Sequence, residues 1–248
     1  MGDVHRAVGT GNDAIFRNPA GMSLFPRYVV ESFWRRHAGR NETLTSLSVL
    51  DSRTGPVAGG LAYTYDYAGS SGGIRSGSRF DVATSYAMAD WLLAGTSLRY
   101  LHMDTVDAPV RRVTGDAGFI FRLGDRINLG VVGQNYFNAT DAGRVAPRVL
   151  GVGFGAVVWK GLVVGFDYDV EPEDDEQPAR YSAGAEFFFL DHFALRGGWT
   201  SDEIRDDRHV SVGGSFVDEE YGLDVSFGRS IAGAPGYELS IGLRVFVN

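Results

Sequence analysis

The sequence predicts an all-β protein: a 14-stranded antiparallel transmembrane β-barrel with a short N-terminal plug in its lumen. Three observations lead there. Apolar residues alternate with small or polar ones, at period two, from about residue 27 to the end. The connections between alternating segments switch between tight turns and longer polar links. The Tyr and Trp residues gather at the two ends of the segments, with aliphatic residues between them.

Composition removes several classes first. At 248 residues, 44% hydrophobic and 22% charged, the chain has the make-up of a folded protein. Its 34 glycines are about twice the usual share, without the Gly-X-Y period of collagen. The absence of cysteine excludes disulfides, thiol catalysis and cysteine-ligated metal clusters. No apolar run reaches the ~18 residues of a spanning helix. A formal charge of −8 speaks against nucleic acid as a partner. The first residues, Met1-Gly2-Asp3-Val4-His5-Arg6, lack the apolar core of a secretory signal, which fits a mature chain or a cytoplasmic one.

Seven segments run one way, at about 27–37, 56–67, 91–103, 125–138, 162–170, 192–200 and 220–229. Seven return, at about 43–51, 76–88, 109–122, 146–159, 179–190, 207–217 and 236–247. Most approach the ~9–11 residues that a tilted strand needs to cross a bilayer. In the third segment Val57, Leu61, Tyr63, Tyr65 and Tyr67 alternate with Ala58, Gly60, Ala62, Thr64 and Asp66. In the last, Tyr237, Leu239, Ile241, Leu243, Val245 and Val247 alternate with Glu238, Ser240, Gly242 and Arg244. A soluble sandwich would show the same alternation.

The connections and the aromatic residues separate the two readings. Links such as Tyr67–Arg75, Met103–Ala108, Glu171–Pro178 and Ser201–Arg208 are longer and polar. Those at Ala89-Asp90, Lys160-Gly161 and Asp191 are tight. Membrane barrels pair short periplasmic turns with longer outer loops. Tyr28, Tyr86, Trp91, Trp159 and Tyr221 fall at the tight-turn end. Trp34, Tyr65, Tyr67, Tyr100, Tyr168, Tyr181, Trp199 and Tyr237 fall at the other. Two such girdles match two headgroup levels, where a ring with a polar tip is most stable. The expected location is therefore the bacterial outer membrane, with lipid around the wall.

Residues 1–25 do not alternate and divide from the barrel at 26–248. They contain Ala14-Ile15-Phe16-Arg17-Asn18-Pro19-Ala20-Gly21-Met22, of which Phe16, Asn18, Pro19, Ala20, Gly21 and Met22 form the candidate plug motif. This stretch resembles the N-terminal motif of the FadL/PorV-type outer-membrane barrels. The resemblance implies fourteen strands and an N-terminus folded back into the lumen. Irregular backbone at membrane depth needs burial in protein, which a lumen provides. Gly151, Gly153 and Gly155 fall on the inward face and would let a plug approach the wall.

The same register turns a set of charges inward: Glu31, Asp81, Asp116, Asp167, Asp169, Glu186, Asp224 and Glu238, against Arg99, Arg180, Arg196 and Arg244. Isolated charges there are costly, so they are expected to pair across the lumen or with the plug. His209 and Ser211 share a face, and Asp224 on the next strand would complete a hydrolase-like triad, although among five histidines such a two-residue coincidence is cheap. Glu171, Glu173, Asp174, Asp175 and Glu176 offer hard oxygen ligands for Ca²⁺, but without the glycine-punctuated loop such a site uses. A solvated acidic rim is the plainer reading. No cofactor or metal is expected.

Two functions remain. FadL-type relatives pass small hydrophobic molecules through the barrel. PorV-type relatives partner envelope machines for secretion or surface attachment, and the short barrels of the myxobacterial gliding machinery resemble this chain in size and motif. The short outer loops and the charged lumen weigh toward a non-enzymatic barrel that anchors a larger complex of envelope proteins, with a second barrel or periplasmic subunits as partners. The alternative is a plugged channel of the FadL type.

Overall fold

A computed structural model describes residues 1, 4–9, 11–68, 74–105, 108–136, 146–173, 178–203, 206–233 and 236–247. Two short helical pieces come first, α1 (Asp13–Arg17) and a 3-10 turn (Pro19–Ser23). Strands follow: β1 (Tyr28–His37), β2 (Glu42–Asp51), β3 (Val57–Ala68), β4 (Ile74–Ala89) and β5 (Leu92–Thr105). Next are β6 (Val110–Leu123), β7 (Ile127–Gln134), β8 (Val149–Trp159), β9 (Leu162–Val170) and β10 (Ala179–Phe189). The last four are β11 (Phe193–Asp202), β12 (Asp207–Val217), β13 (Tyr221–Ala232) and β14 (Tyr237–Phe246). Each strand pairs antiparallel with its chain neighbours, and β1 pairs with β14 from Val29–Phe246 to His37–Glu238. The sheet is therefore a closed 14-stranded barrel without an edge.

The period-two pattern sorts the side chains inside out. Leu61, Tyr63 and Val82 point outward and are exposed, whereas Ala62, Thr64 and Asp81 between them are at most 2% exposed. On β5 and β6, Leu98 and Val113 face out while Arg99 and Asp116 are buried. A sandwich in water would bury the first set and expose the second. An aliphatic wall around a charged interior is instead stable with hydrocarbon outside, as in a membrane-spanning barrel.

Local chemistry sets the turns. Leu190 and Asp191 both take left-handed φ values, 51° and 58°, which suit the tight hairpin between β10 and β11. Gly161, at φ 80°, does the same between β8 and β9.

The connections depart from strict alternation in two places. At the long-loop end, residues 38–41 link β1 to β2, and the interval in sequence between Ala232 of β13 and Tyr237 of β14 is equally short, on either side of the β1–β14 seam. They are knitted together, since the Ala38 N–H donates to the Tyr237 carbonyl at 2.8 Å. The seventh and eighth strands are also shorter than the alternation predicts. Asn135 turns to φ 60° and its N–H donates to Asp116 Oδ1 at 2.9 Å, which ends β7 at Gln134. Its side-chain amide holds the carbonyl of Pro147, a residue with no N–H for a ladder, so β8 begins only at Val149. Residues 137–145 of that expectation lie outside the described residues.

Candidate functional site

The N-terminal segment occupies the lumen, and its sequence explains how it fits. Asp13 and Arg17 suit the two ends of α1, and Ala14 and Ile15 are fully buried against the wall. Asn18 then breaks the helix with an extended backbone and caps the 3-10 turn, its Oδ1 accepting from Ala20 N at 3.3 Å. Its Nδ2 donates to the Arg6 carbonyl at 2.8 Å and the Phe119 carbonyl at 3.3 Å, which ties plug to plug and plug to β6. Pro19 opens the turn, where a missing N–H costs nothing. Pro19 and Ala20 lie so close to Gly95 of β5 that a Cβ there would overlap them. A Cβ at Gly21 would overlap the Gly9 carbonyl. Met22 is fully buried, and its sulfur stands 3.0 Å from where a Cβ at Gly60 would lie. The Phe16 ring lies under the Arg79 guanidinium, 5.0 Å from ring centre to Cζ.

The residue that fastens the plug is Arg6, which sequence reasoning did not single out. Its Nε donates to Asp169 Oδ1 at 2.9 Å and its Nη2 to Gln134 Oε1 at 2.9 Å, while its Nη1 donates to the Arg17 carbonyl. Asp167 accepts the backbone N–H groups of His5 at 2.6 Å and Arg6 at 2.9 Å. Gln134 completes the clasp by donating to the Phe16 carbonyl at 2.9 Å. The signal available in the sequence was Asp167 and Asp169 two apart on one inward face, with an N-terminal segment that carries two arginines, Arg6 and Arg17. Gly151 and Gly153 leave the room: a Cβ at Gly151 would stand 2.8 Å from Arg6 Nε, and one at Gly153 2.5 Å from Arg6 Cβ. At Gly155 a Cβ would overlap Val8.

Among the described residues, the inward charges form three groups and one separate pair. Arg99 donates to Asp81 at 2.6 Å and Asp116 at 2.9 Å, and Arg79 pairs with Asp81 at 3.0 Å. Arg180 joins the clasp through Asp169 at 2.7 Å. On the far wall Arg196 pairs with Glu186 and, at 2.6 Å, with Asp224, which also accepts from Arg244 and Ser215. Glu31 stands 3.9 Å from Arg244, and Glu238 lies 3.8 Å from Arg35. The triad is overturned by register. Ser211 lies opposite Gly228, four residues or about 13 Å from Asp224, whose oxygens are taken by Arg196, Arg244 and Ser215.

Outside, Tyr86, Trp91, Trp159 and Tyr221 are exposed at the tight-turn end, and Tyr28 is half-buried there. At the other end Tyr65, Tyr67, Tyr100, Trp199 and Tyr237 are exposed, with Trp34 half-buried. Tyr168 and Tyr181 face each other across β9 and β10 with ring centres 5.3 Å apart. Of the acidic run, Glu173 pairs with Arg148 at 2.5 Å, and the Glu171 N–H donates to the Pro178 carbonyl. Asp174, Asp175 and Glu176 lie outside the described residues. Among the described residues no cluster of three or more His, Asp or Glu is arranged to hold a metal.

No protein-family model matches the sequence, and no curated protein matches it. Solved structures do match, over nearly the whole of both chains. The CymD monoaromatic hydrocarbon channel aligns with a TM-score of 0.73 and 14% identity, covering 100% of this chain and 96% of its own. The Pseudomonas putida toluene transporter TodX gives 0.68 and 14%, covering 99% and 95%. A Pseudomonas aeruginosa FadL homologue gives 0.66 and 10%, covering 96% of each chain. At such identities the likeness is one of architecture, shared from end to end.

Proposed function

We propose that this chain is a non-enzymatic channel of the bacterial outer membrane, admitting small hydrophobic molecules past its N-terminal plug. The end-to-end likeness to chains described as a hydrocarbon channel and a toluene transporter carries the reading. An aliphatic exterior between two aromatic girdles supports the membrane setting. In the state described, the plug closes the greasy half of the lumen, with Ile15 and Met22 buried against β3 and β4. Passage therefore requires that segment to shift.

The test is uptake of radiolabelled toluene by Gram-negative cells stripped of their own hydrocarbon channels, with and without this barrel in the outer membrane. Uptake several-fold faster with the barrel is the expected result. An unchanged rate with the folded barrel present overturns the reading. The second reading, an anchor for an envelope complex in secretion or gliding, is favoured by one observation: Arg6, Asn18 and Gln134 hold the plug tightly. A mild-detergent pull-down that retains a stoichiometric set of envelope proteins supports that reading, and a lone barrel removes it.

A further inference from the structure

Among the described residues, the plug packs mainly against the β2 to β10 side of the lumen. Where inward glycines of β3 to β10 face it, an added Cβ meets plug atoms: Ile15 at Gly60, Ala20 at Gly95, Arg6 at Gly130 and Met1 at Gly184. On β12, β13 and β14 the same test gives a different answer. The nearest atoms to a Cβ at Gly213 belong to Ser226 and Val225, at Gly228 to Glu238, Val210 and Ser211, and at Gly242 to Asp224 and Phe33. All are wall residues.

This uncovered wall is hydrophilic. Ser211, Gly213, Ser226, Gly228, Ser240 and Gly242 form its lining, and the Ser226 and Ser240 hydroxyls share a hydrogen bond at 2.5 Å. Its carboxylates are also wetter than those on the plug side. The side chains of Arg196, Glu186 and Asp224 keep 26%, 26% and 23% of their surface open, whereas those of Asp81 and Asp116 keep none. Above them, at the long-loop end, a cavity of about 70 Å³ opens among Arg35, His37, Arg40, Asp207, His209 and Glu238.

We propose that the β11–β14 side of the lumen is a second, aqueous path beside the plug, conducting water and small monovalent ions. The Arg196–Asp224–Arg244 layer is its filter. Hydroxyls and fixed charges of both signs replace part of an ion's hydration shell in such a passage. Apart from the inward rings of Phe33 and Phe246, a hydrocarbon would meet charges and hydroxyls there, so the path is distinct from the one assigned to hydrophobic molecules. The inference rests on the membrane-channel reading for the barrel's setting.

Conductance of the purified full-length barrel in planar bilayers with potassium chloride tests it. The wild type is expected to give a small, steady conductance, cut about tenfold or more by Ser226→Trp and raised several-fold by Arg196→Ala. Val225→Trp, on the lipid side of the same strand, is expected to change nothing. Folded migration on unheated gels checks each variant, and Arg196→Ala decides the matter if Ser226→Trp does not fold. Insertion without conductance, or a conductance indifferent to these inward changes, overturns the aqueous path and leaves hydrocarbon uptake untouched. Failure to insert at all overturns the membrane-channel reading instead.

Discussion

Arg6 and Asp169 lie 163 residues apart in the chain, yet the guanidinium Nε donates to the carboxylate at 2.9 Å inside the barrel. Both side chains are almost wholly buried. A buried ion is held in place by its partners, because losing one strands the other in a medium that solvates it poorly.

Replacing Arg6 by Ala is therefore expected to weaken plug docking by about 3–5 kcal/mol. The wall keeps its ladders, so the barrel should remain folded while the plug comes loose. Limited trypsin digestion followed by intact mass reads this directly: cleavage after Arg17 should appear in Arg6→Ala and not in the parent. Equal protection in both would mean that Arg6 is not the fastening.

Glycine at 153 is a packing requirement. A methyl group there would press on Arg6 Cβ and Asp167 Oδ1, both at 2.5 Å. Gly153→Ala is expected to cost about 1–3 kcal/mol by overpacking. Gly59, where an added Cβ meets nothing within 4 Å, is the matched control and should tolerate Ala. Urea unfolding midpoints of the two variants in lipid give the comparison.

Asp224 and Ser211 should behave oppositely. Asp224→Ala removes the carboxylate shared by Arg196 and Arg244. Because water reaches this layer, the expected loss is about 1–3 kcal/mol, below the cost of breaking a fully buried pair. Ser211→Ala should stay within about 0.5 kcal/mol of the parent. A large loss for Ser211→Ala in the same unfolding assay would contradict its position on an open wall.

The four tryptophans report depth. Trp91 and Trp159 mark the tight-turn level, Trp34 and Trp199 the other. In single-tryptophan variants, lipids brominated near the headgroup are expected to quench each more strongly than lipids brominated near the chain end. Stronger quenching by deep bromines would place the girdles wrongly.

The wall was legible because a strand repeats every two residues, so each stave states its own faces in sequence: Leu61 against Ala62, Val225 against Asp224. Residues from Ala14 to Met22 also carried the plug in plain view, through Asn18-Pro19 and Gly21. Pairing across the lumen was not legible, since period two says which way a side chain points and nothing about its height. That is why Asp224 looked like a partner for Ser211 when it stands opposite Ser215. The fastening at Arg6 was hidden for the same reason: its partners come from strands more than 120 residues away. The early end of β7 depends on Asn135 reaching Asp116, a contact no local pattern announces.

A closed ring has no loose end from which to fray, so it parts first at its weakest stave. Among the described residues that stave is β7, the shortest at eight residues, with its ladder to β6 reaching only from Gly133–Ala117 to Ile127–Leu123. The same strand carries Gln134, which grips both Arg6 and the Phe16 carbonyl. Breathing of the wall and release of the stopper are thus one thermal event, and hydrogen exchange in β7 should keep time with exchange in the first twenty residues.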